Sequence, residues 1–340
     1  MKLTHLVIGL GMMTAMAATA ATANAGTLDT VKKRGQLVCG VNSGLPGFSA
    51  PDEKGKWSGL DVDYCKALAA VVLGDKNKVK FVPLTAKERL TAVQTGEIDV
   101  LSRNTTWTMS RDATLGLNFI GTSYYDGQGF LVKKSLGVKS AKELDGASVC
   151  VLAGTTTELN LADYFSSHKM KYESVVVDTA DQTLAGFNSD RCDMLTSDQS
   201  QLYALRSKLA DPSKAIVLPE VISKEPLGPV VRQGDDQWFN IARWTLNAWL
   251  TLEEDGVTSK NIDKMLTSKK PGIKRLLGVG TDLGSKMGVT DDFAVRIVKA
   301  VGNYGESFER NVGMGSPLKV SRGLNAQWTD GGLMYAPPVR

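Results

Sequence analysis

From Asp99 to Asp112 the chain reads Asp-Val-Leu-Ser-Arg-Asn-Thr-Thr-Trp-Thr-Met-Ser-Arg-Asp: a strand end, then hydroxyl and amide residues, then the cation Arg111. This order suits a small anion such as a carboxylate. A guanidinium grips both oxygens, while hydroxyls and backbone N–H groups fill the remaining lone pairs. A helix N-cap followed by a surface arginine would read the same way. Gly154-Thr155-Thr156-Thr157 opens a second such place, where threonines at a helix start either cap it or offer hydroxyl and N–H to an anion. Asp61 and Asp63 fall at another helix start, where carboxylates complement the dipole by about 0.3–1 kcal/mol. An Asp-x-Asp metal site is the competing reading.

These residues need elements to hold them. Gln36–Val41 reads as a buried strand running into the Gly/Pro turn Asn42–Phe48, followed by a helix over Tyr64–Val72 and a strand over Val79–Leu84. A helix from Ala86, stopped by Gly96, precedes the strand that leads to Asn104. Alternating strands and helices predict an α/β lobe with a largely parallel sheet. Ligands sit at the carboxyl ends of such strands, so the Asn42–Phe48 and Asn104–Arg111 loops should face one cleft. After the extended Tyr124–Lys133 a second series follows: strands near Ser148–Leu152, Glu173–Val177, Asp193–Thr196 and Ala215–Leu218, with helices between them, predict a smaller α/β lobe. Pro219–Val231 is a second extended crossing, since its prolines exclude helix. The two crossings suggest two hinge strands. Beyond them lie helices over Asp235–Asp255, Lys260–Leu266 and Asp292–Val301. Trp238, Trp244 and Trp249 form a stripe that suits a core better than a binding surface. The Gly- and Pro-rich stretch from Gly313 to Arg340 should wrap a surface.

The 340 residues exceed the usual size of one core. Lys2, an apolar run from Leu6 to Ala20 and Ala23-Asn24-Ala25 predict a secretory signal peptide cleaved after Ala25, with no Cys for a lipid anchor. Loss of Lys2 lowers the net charge from +4 to +3, and with no basic run nucleic-acid binding has no support. The four cysteines Cys39, Cys65, Cys150 and Cys192 lie in an exported chain, where disulfides persist, and three pairings are open. No Cys-x-x-Cys occurs and the mature part has one histidine, His168, which disfavours zinc sites and His-dependent triads.

Gly59-Leu-Asp-Val-Asp-Tyr64, Gln94-Thr-Gly-Glu-Ile-Asp99, Gly154-Thr-Thr156 and Cys192–Asp198 resemble the solute-binding proteins of bacterial polar amino-acid ABC transporters. Ser102–Arg111, Glu225-Pro-Leu-Gly-Pro229, Asp235-Asp-Gln-Trp238 and Tyr335-Ala-Pro-Pro338 resemble the general L-amino-acid binders of rhizobial type within that family. The resemblance implies a type II periplasmic binding protein-like fold: two α/β lobes joined by two hinge strands, with a ligand cleft between them. Lobe 1 would span residues 26–126, lobe 2 residues 127–225, and the return to lobe 1, with its helix-rich part and extended tail, residues 226–340. It implies a periplasmic binder of L-amino acids that delivers them to inner-membrane permease subunits, as a monomer and without a cofactor. The ligand's α-carboxylate would meet Arg111, Thr106 and Thr156, with Thr155 beside them. Its ammonium would meet Asn104, Thr106 and Asp198, although Asp198 also suits an N-cap for the following helix. Trp107 would lie near the ligand. Cys39 pairs with Cys65 and Cys150 with Cys192 if bridges stay within lobes and leave the hinge free; buried thiols are the alternative.

Where cationic-amino-acid binders of this family resemble an Asp followed three positions later by Tyr, this chain has Asn42 and Leu45. Lacking that carboxylate, it should recognise mainly the α-amino-acid group and show broad specificity, because apolar contacts separate ligands by only about 1–3 kcal/mol per methylene. The competing function is a dehydratase-type enzyme on the same fold, with Glu88, Glu158 or Asp198 as acid or base.

Overall fold

The computed structural model describes residues 26–340, so the expected signal peptide lies outside the described residues. All six residues of the Leu37–Asn42 strand are buried, as an apolar strand covered on both faces requires. It pairs in parallel with Val79–Leu84 on one side and Val100–Leu101 on the other. Val230–Arg232 and Leu117–Phe119 complete a five-stranded sheet, with Val230–Arg232 antiparallel to both its neighbours. The sheet is therefore mixed. The return crossing enters it from the opposite direction, which the strand-helix alternation of the N-terminal part could not show.

Helix Leu60–Leu73 has twelve of its fourteen residues buried and ends at Gly74, whose φ of 73° is the left-handed conformation glycine adopts without penalty. Its burial on all sides comes from packing beneath helices Asp236–Glu254 and Phe293–Val301 as well as on the sheet. The tryptophan stripe is core at Trp238 and Trp249, whose indoles donate to the carbonyls of Asp99 and Gly302 at 2.8 and 3.0 Å. Trp244 is half-buried.

The second lobe has a five-stranded sheet in the order Tyr172–Val177, Ala147–Leu152, Met194–Asp198, Gln128–Lys133, Ala215–Val217. Its first three strands are mutually parallel, and Gln128–Lys133 runs antiparallel to both its neighbours. Helices Thr156–Ser167, Ala180–Asn188 and Gln199–Ser207 cover it. The disulfides are Cys39–Cys65 and Cys150–Cys192, with Cα–Cα distances of 6.3 and 5.6 Å, so each ties a strand to a neighbouring element of its own lobe.

Between the sheets, Tyr124–Asp126 and Glu225–Leu227 pair antiparallel as a two-stranded ribbon. The extended Tyr124–Lys133 segment breaks at Gly127, with one half in this ribbon and the other in the second sheet. A Cβ at Gly228 would collide with the Gly121 carbonyl, which explains glycine where the two crossings touch. The tail from Gly313 folds back on the first lobe, and Asn325 hydrogen-bonds both backbone groups of Tyr125 in the ribbon: Tyr125 N donates at 2.7 Å and Asn325 Nδ2 donates at 3.0 Å.

Candidate functional site

Two loops at the carboxyl ends of first-lobe strands meet: Asn42 Nδ2 donates to Asn104 Oδ1 at 3.1 Å. Asn104 has φ 33° in the left-handed region, which asparagine tolerates better than most residues. Its backbone N–H donates to Asp61 Oδ2 at 2.9 Å, and Ser102 Oγ donates to Asp61 Oδ1 at 3.0 Å. The helix-start carboxylate is thus a strut under the site loop, and burial pushes it up to about 6. Asp63 is equally committed, accepting from Ser307 Oγ, Arg310 and Asn311 Nδ2. Among the described residues no group of His, Cys, Asp or Glu could hold a metal ion.

The lobes meet over a cavity of about 20 Å³. Arg89, Arg103, Asn104 and Thr106 line it from the first lobe; Thr155, Thr156, Ser197, Asp198 and Gln201 line it from the second. Thr106 Oγ1 lies 3.3 Å from Thr156 Oγ1, and Asn104 Nδ2 donates to Gln201 Oε1 at 3.4 Å. At the rim Lys87 pairs with Asp178 at 2.6 Å, and Lys208 Nζ donates to the Gly44 carbonyl at 3.0 Å. The cleft is closed, so anything larger than about one water must enter by separating the lobes.

Glu225, on the ribbon, joins the two sides. Its carboxylate accepts from Thr106 Oγ1 at 2.6 Å and Thr156 Oγ1 at 2.8 Å, and also from Asn160 Nδ2 and Ser223 Oγ, each at 2.7 Å. Sequence reasoning placed Glu225 only in a family motif. Nothing local marks it out, since the same crossing carries a second glutamate beside a proline, Glu220.

The predicted site residues divide. Thr155 is the N-cap of its helix, with Oγ1 accepting from Glu158 N–H at 3.4 Å and donating to the Leu152 carbonyl at 2.6 Å. Asp198 occupies an N-cap position without capping: its side chain makes no cap hydrogen bond, and Oδ1 is buried without a partner. Burial, with Asp126 and Glu225 nearby, holds its carboxyl well above the ordinary range, opposed by Arg89 and Arg111. Arg111 is not a surface arginine. It is 8% exposed, one N–H donates to the Thr106 carbonyl at 2.9 Å, and burial draws it down against the pull of Glu225 and Asp198. It stands behind Thr106 and does not line the cavity. Thr108 supplies the cap of that short helix, its Oγ1 accepting from the Arg111 N–H at 3.3 Å. Trp107 also stays out of the cavity: it stacks on Phe119 with centroids 5.7 Å apart and is 38% exposed.

Arg89 and Arg103 went unread in the sequence. A cation at a helix start and one inside a polar loop both look solvated, yet both are buried. Burial and mutual repulsion draw Arg89 well below its ordinary value, and burial draws Arg103 down to about 10.

The profile of the bacterial extracellular solute-binding proteins, family 3, matches residues 37–267. The chain belongs to this family. Solute-binding proteins similar to it over essentially their whole length include the general L-amino acid-binding periplasmic protein AapJ of Rhizobium johnstonii, 57% identical over 100% of this chain and 99% of that protein. The glutamate/glutamine/aspartate/asparagine-binding protein BztA of Rhodobacter capsulatus is 53% identical, over 97% and 98% of the two chains. A solved periplasmic binding protein of an ABC transporter from Brucella ovis, with glutathione bound, superposes with a TM-score of 0.91 at 57% identity, covering 93% of this chain and 100% of that one.

Proposed function

We propose that the protein binds L-amino acids in the periplasm, with broad specificity, and delivers them to the permease subunits of an ABC transporter. One observation carries this reading: across a closed, buried cleft the second lobe presents Asp198 with an unpartnered oxygen, while the first lobe presents guanidinium groups. A zwitterion carries the complementary pair of charges, and burying either protein charge alone is costly. Ligand contacts shared between lobes favour the closed state over the open one. Similarity to relatives named as amino-acid-binding proteins supports the same ligand class.

In this reading Arg111 and Thr156 hold the α-carboxylate, Asp198 and Asn104 meet the ammonium, and Thr106 serves both once the ligand displaces it from Glu225. Asn42 sets the position of Asn104, and Thr155 supports Thr156. Residues 26–126 with 226–340, and 127–225, move as the two bodies. The chain acts as a monomer after cleavage at Ala25. We read it as a binding protein rather than a dehydratase-type enzyme because its relatives carry binding-protein names. Glu225, the carboxylate that joins the two sides, is besides committed to Thr106 and Thr156.

Calorimetry with a panel of L-amino acids tests the proposal. Arg111→Ala should weaken every ligand by about 2–5 kcal/mol, since it strips a partner from a buried charge, whereas a change at Asn42 should alter their ranking. Unchanged affinities in Arg111→Ala would remove Arg111 from the site.

A further inference from the structure

Helix Gln199–Ser207 separates two spaces. Asp198 and Gln201, at its start, line the cleft, while Gln199, Ser200 and Tyr203 line a second cavity of about 410 Å³. At about 100° per residue these two sets occupy opposite faces of the helix. The hinge ribbon stands between the same two spaces. Along Glu225–Leu227 it meets the cleft loop, where the Trp107 N–H donates to the Pro226 carbonyl at 2.8 Å; along Tyr124–Asp126 it meets the tail at Asn325. The second cavity therefore lies behind the hinge, on the side away from the cleft.

The walls of this cavity belong to different bodies. The second lobe contributes Tyr203 and Val221, and residues 318–325 of the tail form the other side. That part of the tail is fixed to the first lobe. Arg322 grips Glu253 with hydrogen bonds of 2.7 and 3.1 Å and lies over the Phe308 ring, and the Val320 N–H donates to the Val312 carbonyl at 2.9 Å. Lys319, in the same wall, has φ 51°, a left-handed conformation that a non-glycine residue adopts at a cost. Among the described residues no hydrogen bond or ion pair crosses from residues 318–325 to the second lobe. Val221 and Leu324, both more than half exposed, present apolar side chains from the two walls.

Two rigid bodies that turn about a pivot between two gaps close one gap as they open the other. We propose that the tail is a stop behind the hinge: residues 318–325 meet Tyr203 and Val221 as the cleft opens, and so fix how far the lobes separate when no ligand holds them together. This rests on the two-lobe binding reading above and goes beyond it, since no tail residue lines the cleft cavity. Close-packed side chains resist overlap steeply, so contact between the walls sets a sharp limit to opening. The depth of the cavity then tunes the affinity for every ligand alike. A ligand that binds the closed form is opposed by whatever favours the open one, and the stop decides which open forms exist.

Small-angle scattering and calorimetry on the mature chain with both disulfides intact test this, with L-alanine and L-glutamine as ligands. The wild type should have a larger radius of gyration without ligand than with glutamine bound. Leu324→Trp and, from the other wall, Val221→Trp each fill the cavity. In both variants the ligand-free radius should shrink toward the bound value, while the bound radius stays where it was. Both ligands should then bind about three- to tenfold more tightly, and by the same factor, because open forms that compete with binding are removed and no cleft residue is touched. A ligand-free radius unchanged in both variants overturns the stop, as does weakened binding, which is what mere disruption of the tail produces. So does a wild-type radius that stays constant as glutamine binds, because no opening is then left to limit. If neither ligand binds the wild type, the amino-acid reading fails, and the ligand-free radii of the variants still decide the stop.

Discussion

At the scale of single residues, the site turns on which buried polar atoms have partners. Asp198 is decisive, because a capping carboxylate and a ligand-binding one look alike in sequence and differ only in whether the helix N–H groups use the oxygens. Here they do not. Asp198→Asn should therefore cost little stability but weaken amino-acid binding by about 2–5 kcal/mol; calorimetry beside a thermal melt separates the two. Protonation gives a second handle. Asp126 is pushed up to about 6, chiefly by burial, and Asp198 stands well above its ordinary value. An arriving ammonium favours their ionised forms, so ligand binding near pH 6 should release protons. Calorimetry in buffers of different ionisation enthalpy measures that number directly, and zero release would show the carboxylates already ionised. Thr155–Thr156 and Asp198 were legible as helix starts, because threonines after glycine and aspartate at a strand-to-helix junction mark such places; a ligand role for Asp198 was implied only by the family resemblance. Arg89 and Arg103 were not, since a lone arginine's burial depends on what folds over it. Trp107, expected near the ligand, stacks on Phe119, which comes from a strand the sequence pattern did not announce.

At the scale of elements, the ribbon of Tyr124–Asp126 and Glu225–Leu227 combines hinge and latch. Glu225 accepts from Thr106 on one lobe and from Thr156 and Asn160 on the other. In Glu225→Gln the amide cannot accept from all of these donors at once. The ligand-free protein should shift toward an open form, seen as a larger radius of gyration in small-angle scattering; an unchanged radius would show that other contacts hold closure. The disulfides act on the lobes separately. With sequence separations of 26 and 42 residues, they restrict the unfolded chain by about 3.5 and about 4 kcal/mol. Replacing Cys150 and Cys192 together by serine should lower the melting temperature by several degrees while leaving ligand ranking unchanged, because both sulfurs lie in the core of the second lobe, away from the cleft.

At the scale of the whole molecule, the C-terminal tail ties the ribbon to the first lobe. Arg322 forms a two-pronged pair with Glu253 and also donates to the Asn325 carbonyl, while Asn325 takes both backbone groups of Tyr125. Pro226, opposite Tyr125, turns its carbonyl to the Trp107 N–H at 2.8 Å on the other side of the ribbon, so both backbone groups of Tyr125 face outward and an amide from the tail satisfies them. Asn325→Ala should speed hydrogen exchange at the Tyr125 amide well beyond the change elsewhere in the first lobe; protection that stays intact would show the clasp to be dispensable. The buried carboxylates also shape stability against pH. Asp61 and Asp126 sit near 6 in the folded protein against an ordinary 3.8. Between about pH 4 and 6 the folded state therefore holds protons the unfolded chain has lost, and stability falls as pH rises through that window. Denaturant melts of the ligand-free protein should give a higher unfolding free energy near pH 5 than near pH 7, and a monotonic rise over that range would contradict it.

Local spacing by itself determined the α/β alternation, the two extended crossings, the Thr155–Thr156 helix start and the polar loop ending in Arg111. Each depends on residues within one or two turns of one another, where hydrophobic period, glycine and proline act directly on the backbone. Only the tertiary structure decided that Asp198 does not cap its helix, that Arg111 stands behind Thr106, and that Arg89, Arg103 and Glu225 belong to the cleft. It also showed that the tail grips the hinge. Those outcomes depend on burial and on hydrogen-bond partners that lie far away in sequence, 119 residues in the case of Thr106 and Glu225. The energy of a charged group is set by whatever the fold brings beside it, and no local pattern carries that information.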